Sequence, residues 1–249
     1  MPLAHLNTGA TLYYDDTGGD DKPIVILVHG LLGTAALHFP QVTAWLAPNY
    51  RVIGPTMRGY GQSYPKPRTF TPDFYKRDTL DVLALMDVIG IEQAHIMGYS
   101  DGGEVAIIAG GTQPSRFKSV TAWGAVGYFG PDMRPVAQRM YPGDWITDDE
   151  MTLHGIPNRE AFVLAWINSV KAMIDAGGDV SLSLAPHISA PLLLMLGDQD
   201  TLNPEAYGRN LVNQAPNGQL RMFQCAHPVH DQAWDEFQSV VGAFLASSS

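Results

Sequence analysis

The sequence predicts an α/β fold built on one mostly parallel sheet, and three observations carry that expectation. Short apolar, β-branched runs alternate with segments of helical periodicity, which is the pattern of βαβ units. Gly (25) and Pro (18) recur at short intervals and punctuate these pieces, rather than dividing the chain into two blocks of different composition. A chain of 249 residues with 45% hydrophobic content also has enough apolar material for a substantial core.

Taken in order, Leu3 to Asn7 and Thr11 to Tyr14 flank Thr8-Gly9-Ala10 and read as an opening antiparallel hairpin. Ile24-Val25-Ile26-Leu27-Val28 is continuous and β-branched, the signature of a strand covered on both faces. Tyr50 to Ile53 and His95 to Met97 repeat that signature in shorter form. Between them, Pro72 to Ile89 has helical spacing, with Leu80, Leu83, Ala84, Asp87 and Val88 as its expected inner face and Gly90 as its stop. Phe117 to Trp123 is the next strand.

From Gly124 to about Pro186 the rhythm breaks into a Gly-, Pro- and Met-rich loop and a helix, Arg159 to Ala176. One face of that helix carries Phe162, Trp166, Ser169, Val170 and Met173. Strands resume at Pro191 to Leu196 and Gln219 to Phe223. A last helix, Gln232 to Leu245, closes the chain, and Ser247 to Ser249 are expected to fray. An interruption of about 60 residues is too long for an ordinary loop, so it is expected to be a helical cap over the strand ends. The organisation is then a core of residues 1–124 and 186–249 with a cap insertion at 125–185.

Charge removes several classes of function. Lys plus Arg (15) fall short of Asp plus Glu (25), a formal net charge of −10 that repels phosphate and anionic lipid. Neither nucleic-acid nor membrane partners are expected. A single cysteine, Cys225, cannot form an internal disulfide, and CxxC metal patterns are absent. The opening residues Met1-Pro2-Leu3-Ala4-His5 lack the basic and apolar regions of a secretory signal, so a cytoplasmic location is expected.

The strongest local pattern is Gly98-Tyr99-Ser100-Asp101-Gly102-Gly103, between the strand Ile96-Met97 and the helix-like Glu104 to Ala109. G-x-S-x-G in a strand-turn-helix context lifts a serine hydroxyl clear of the sheet, and the helix start aims N–H groups at any anion formed there. Serine needs a base, since its free hydroxyl is a poor nucleophile at neutral pH. Of eight histidines, His227 lies in the loop after the last strand, where it can reach over the strand ends; His230 in the same loop is its rival.

A carboxylate must fix the imidazole tautomer. Asp200, in Gly197-Asp198-Gln199-Asp200 after a strand, is preferred to Asp198 because it lies deeper in the loop. For an oxyanion hole, one N–H is expected from Asp101 and the other from Leu31 in His29-Gly30-Leu31-Leu32-Gly33-Thr34, with His29 holding that loop. Cys225 lacks an activating turn or helix start and reads as packing.

With these residues in view, the sequence resembles the α/β-hydrolase fold superfamily. The resemblance rests on Val28-His29-Gly30, Arg58-Gly59-Tyr60-Gly61-Gln62-Ser63, Gly98 to Gly103, Gly197 to Asp200 and Ala226-His227, and covers the core but not the cap. Thr56 stands where relatives commonly carry aspartate. Aspartate beside the nucleophile is similar to the valacyclovir hydrolase (biphenyl hydrolase-like) group and related bacterial serine esterases. That resemblance implies an α/β-hydrolase fold with an N-terminal antiparallel hairpin and an inserted cap. It also implies Ser100-His227-Asp200 chemistry on a small-molecule ester, with no organic cofactor and no metal, and Asp101 as a partner for a cationic α-amino group.

Asp101 also has a purely structural explanation, because a carboxylate in the first turn of a helix is favoured by the dipole. Substrate contacts are expected from Asp101 and from aromatic residues of the cap region, Trp123, Trp145 and Trp166 among them. Lactone or C–C bond hydrolysis on the same three residues, and a ligand receptor on this fold, are the competing functions.

Overall fold

In the computed structural model, which describes residues 2–248, eight strands form one sheet. They are β1 (Leu3–His5), β2 (Thr11–Asp16), β3 (Ile24–Val28), β4 (Arg51–Pro55), β5 (Ala94–Tyr99), β6 (Phe117–Trp123), β7 (Leu192–Gly197) and β8 (Gly218–Phe223). Their spatial order is β1-β2-β4-β3-β5-β6-β7-β8. β2 pairs antiparallel with both β1 and β4, and every later pairing is parallel. The expected hairpin and the mostly parallel sheet are therefore both present.

Ten helices accompany it among the described residues: α1 (Ala35–His38), α2 (Pro40–Leu46), α3 (Phe74–Val88), α4 (Asp101–Thr112), α5 (Met133–Gln138), α6 (Asp148–His154), α7 (Arg159–Asp175), α8 (Glu205–Gln214), α9 (Val229–Gln232) and α10 (Trp234–Ser247). Alternation along β3 explains the layering. Val25 and Leu27 point to one side, joining Phe39, Leu46, Phe237 and Val241. Ile26 and Val28 point to the other, joining Val82, Val105 and Val170. The sheet is thus buried on both faces, as a continuous apolar strand requires. No helix among the described residues is long and apolar enough to cross a membrane.

Two expectations need correction. In α3 the expected face is only partly inward: Leu83 and Ala84 are buried, but Leu80 (57%) and Val88 (54%) are exposed, while Tyr75, Asp78, Asp81, Val82, Leu85 and Met86 also face inward. The helix is rotated because its aspartates are drawn in: Arg68 takes Asp78 and Arg58 takes Asp81 in bidentate pairs. At the C-terminus, α10 runs through Ser247, and the Ser247 and Ser248 hydroxyls donate to the Phe244 carbonyl. Ser249 lies outside the described residues.

The stretch between β6 and β7 holds α5, α6 and α7. Phe162, Trp166, Ser169, Val170 and Met173 of α7 are all buried. α6 starts at a capping box between Thr147 and Glu150 and ends at Gly155 (φ 64°). The stretch leaves and returns at one place. Gly127 O accepts the N–H groups of Val180, Ser181 and Leu182, and the buried Glu104 of α4 accepts from Val126 N–H, Gly127 N–H and Ser181 Oγ–H.

Candidate active site

Ser100 occupies the turn from β5 into α4 with φ 55° and ψ −120°, a strained backbone for a side-chain-bearing residue. The flanking glycines are required by contact. A Cβ on Gly98 would lie 2.0 Å from Gly102 O, and one on Gly102 would lie 2.1 Å from Val28 O. The turn can form only where the chain carries no side chain at these two positions.

His227, in the loop between β8 and α9, brings Nε2 to 3.0 Å from Ser100 Oγ and Nδ1 to 2.7 Å from Asp200 Oδ2. Asp200 follows β7. Its Oδ1 accepts from Leu202 N–H at 2.8 Å and its Oδ2 from Asn203 Nδ2–H at 2.9 Å. Burial pushes the Asp200 carboxyl up, but the hydrogen bonds from His227, Asn203 and Leu202 outweigh it and hold the carboxyl below its ordinary value. The carboxylate therefore stays ionised, and Nδ1–H donation to it leaves Nε2 free to take the serine proton.

The rival histidine is engaged elsewhere. His230 Nδ1 accepts the Trp123 indole N–H at 3.0 Å, and its Nε2–H donates to the His38 carbonyl at 3.1 Å. Burial lowers its pKa, so it stays neutral in that bridge.

On the other side of Ser100, the loop after β3 is tightly staked. Met57 N–H donates to His29 Nε2 at 2.9 Å, so the proton is on Nδ1, which donates to the Gly30 carbonyl at 2.7 Å. That carbonyl belongs to the same peptide as the Leu31 N–H. A trans peptide points the two groups oppositely, so fixing one fixes the other. Gly30 borders the serine: a Cβ there would be 3.0 Å from Ser100 Cβ and 3.1 Å from Tyr99 O. Leu31 N–H and Asp101 N–H, the latter at the first position of α4, have no backbone acceptor among the described residues.

A cavity of about 30 Å³ opens beside Ser100 and His227, walled by Tyr75, Asp101, Phe129, Met133 and Trp166 among others. Asp101 is 8% exposed; its Oδ1 accepts from Tyr75 O–H at 2.8 Å and its Oδ2 has no hydrogen-bond partner. Burial pushes its carboxyl up to about 6, against the lowering effect of the Tyr75 hydroxyl and the Arg68 charge. The Trp166 indole N–H faces the same carboxylate closely enough to lower it slightly, yet forms no full hydrogen bond.

Of the aromatic residues expected at the substrate, Trp166 lines the cavity, whereas Trp123 and Trp145 do not. Trp123 is fully buried on the opposite face of the sheet with Phe39 and Phe237, because strand alternation turns it away from Ala122's side. Trp145 is 44% exposed and donates its indole N–H to Met140 O. Sequence reasoning missed Tyr75 and Asn203. The signal for Asn203 was present in Asp200-Thr201-Leu202-Asn203-Pro204, where an aspartate two residues before an N–H forms an Asx turn and places the next residue beside it. Tyr75 has no such local signal, since it approaches from α3.

Residues 23–169 match the family described as the alpha/beta hydrolase fold. The human serine hydrolase BPHL is 27% identical over 244 residues, covering 95% of this chain and 84% of that one. 3-Oxoadipate enol-lactonase 1 of Acinetobacter baylyi is 25% identical over 266 residues, covering 96% and 94%. Among solved structures, the enol-lactonase from Burkholderia xenovorans superposes with a TM-score of 0.74 at 24% identity, covering 98% of this chain and all of that one.

Proposed function

The chain belongs to the alpha/beta hydrolase fold family, and from that premise we propose that it is a serine hydrolase cleaving small carboxylic esters through an acyl-enzyme. The observation that carries this reading is the continuous hydrogen-bonded line Ser100 Oγ, His227, Asp200 Oδ2. His227 Nε2 takes the Ser100 proton as Oγ adds to the ester carbonyl, and the resulting oxyanion is held by Leu31 and Asp101 N–H. The imidazolium, stabilised by Asp200, then protonates the leaving alcohol. Water, deprotonated by the same nitrogen, cleaves the acyl-enzyme and frees the acid.

The insertion at 125–185 serves as the cap, supplying Ala125, Phe129, Met133 and Trp166 to the cavity. The cavity is small, about 30 Å³, which favours short acyl chains. The unpartnered Oδ2 of Asp101 favours a cationic α-amino group on the acyl side over an anionic one. Enol-lactone hydrolysis is the second reading, supported by likeness to two enol-lactonases and served by the same three residues.

The test is pre-steady-state release of p-nitrophenol from p-nitrophenyl acetate, with fluorophosphonate labelling, in wild type and Ser100→Ala. A stoichiometric burst and label that vanish in the variant support the reading. No burst and no label in wild type would leave a non-catalytic ligand receptor.

A further inference from the structure

The oxyanion loop contains a conformational oddity. Gly33 N–H donates to the Gly30 carbonyl at 3.1 Å, closing a four-residue turn over Leu31 and Leu32, and Leu32 sits at its third position with φ 57°. That position of such a turn normally takes glycine or asparagine, because a β-carbon there crowds the backbone. Leu32 is 3% exposed, so its side chain packs in the core and a glycine would lose that packing.

Something must hold the turn against its own strain, and the structure supplies it from far along the chain. His154, the last residue of α6, is fully buried. Gly61 N–H donates to His154 Nδ1 at 3.0 Å, which places the ring proton on Nε2, and Nε2–H donates to the Leu32 carbonyl at 3.0 Å. Tyr60 packs its ring against the imidazole with centroids 5.1 Å apart, fixing its plane. Both nitrogens are thus committed, one to the loop after β4 and one to the strained residue next to Leu31.

We propose that His154 is a positioning residue for the oxyanion hole, holding Leu32 in its left-handed turn so that the Gly30-Leu31 peptide keeps its N–H aimed at the Ser100 adduct. His29 holds the Gly30 carbonyl from one side of the loop, and release of the Leu32 carbonyl lets that residue relax, so that the Gly30-Leu31 peptide keeps the His29 bond but loses the turn that supports it from the other side. The insertion therefore completes the catalytic geometry as well as covering it. This rests on the serine hydrolase reading above.

Two substitutions separate the nitrogens. His154→Asn retains an acceptor near Nδ1 and leaves Leu32 without a donor, whereas His154→Gln restores a donor near Nε2. With p-nitrophenyl acetate, Asn is expected to lower kcat about tenfold or more with KM within about twofold, a fraction of what losing an oxyanion donor costs. It should weaken inhibition by trifluoroacetone, whose Ser100 adduct carries an oxyanion, by a matching factor; Gln should recover most of both.

A folded Asn variant with unchanged kcat and inhibition overturns the proposal, as does equal loss in Asn and Gln. Should Asn fail to fold, Gln decides: kcat within about fivefold of wild type supports the assignment, and a folded Gln variant with any larger loss overturns it. Absence of Ser100-dependent turnover in wild type defeats the hydrolase reading itself, and the proposal with it.

Discussion

The indole N–H of Trp123 donates to Nδ1 of His230 at 3.0 Å, and that bond takes His230 out of the chemistry. With its other nitrogen on the His38 carbonyl, this histidine has no lone pair to offer Ser100. His230→Gln is accordingly expected to keep Ser100-dependent turnover within about tenfold while losing about 1–3 kcal/mol of stability, the cost of an unsatisfied buried donor. His227→Gln should do the reverse, dropping kcat by about 10⁴ or more with little change in unfolding midpoint. Kinetics and urea melts on the two variants check both. A His230 variant as inactive as the His227 variant would sink the assignment of the base.

Asp101 should make substrate preference depend on pH. Its carboxyl is held up to about 6 by burial, so it is neutral below that value and anionic above it. An α-amino group stays protonated to about 7.7, which leaves a window in which an ammonium meets a carboxylate. The ratio of kcat/KM for alanine ethyl ester over ethyl propionate is expected to rise as pH increases through about 6. In Asp101→Asn the ratio should be lower and flat. A wild-type ratio that does not change between about pH 5 and pH 7 would remove Asp101 from recognition.

Motifs whose chemistry is local could be read in advance. Gly98 and Gly102 are forced by a turn that tolerates no side chain at either position, Asp200 follows the continuous apolar run of β7, and His227 follows β8, where Leu220 and Met222 alternate with polar residues before Phe223. What escaped depends on partners distant in sequence. The α3 face rotated because Arg58 and Arg68 lie outside the helix and draw in Asp78 and Asp81. Trp123 turned from the cavity because the last residue of β6 falls on the other side of the sheet. His154 contacts Leu32 across 122 residues, a pairing that periodicity cannot reveal.

Stability should fall as the solution is acidified below neutrality. His29, His38, His95, His154 and His230 are all lowered, chiefly by burial, with His38 and His95 brought to about 4. Below about 6.5 the unfolded chain binds protons that the folded chain refuses, so unfolding becomes easier from there down to about 4. Asp101 and Glu104 act in the opposite sense, since their raised folded values let the native state take protons first. Five imidazoles outweigh two carboxyls. The guanidinium midpoint is expected to drop steadily from about pH 7 to pH 4.5, and a midpoint that rises over that range would contradict it.

Strain at Ser100 gives a last test that separates function from folding. With φ 55° and ψ −120°, the residue sits where glycine is at ease and any β-carbon is not, at a cost of order 1–3 kcal/mol. Ser100→Ala keeps the β-carbon and hence the strain, while Ser100→Gly removes it and gives back part of the gain through the greater freedom of the unfolded chain. Both variants should be inactive, yet Gly should be the more stable by about 1 kcal/mol, read from urea unfolding at constant slope. The backbone bonds at this turn, Ser100 N–H to Trp123 O and Gly103 N–H to Ser100 O, are common to both variants and cancel in the comparison. If Ala proves equal to or more stable than Gly, the turn is not strained at Ser100, and the exposure of its hydroxyl owes nothing to stored backbone energy.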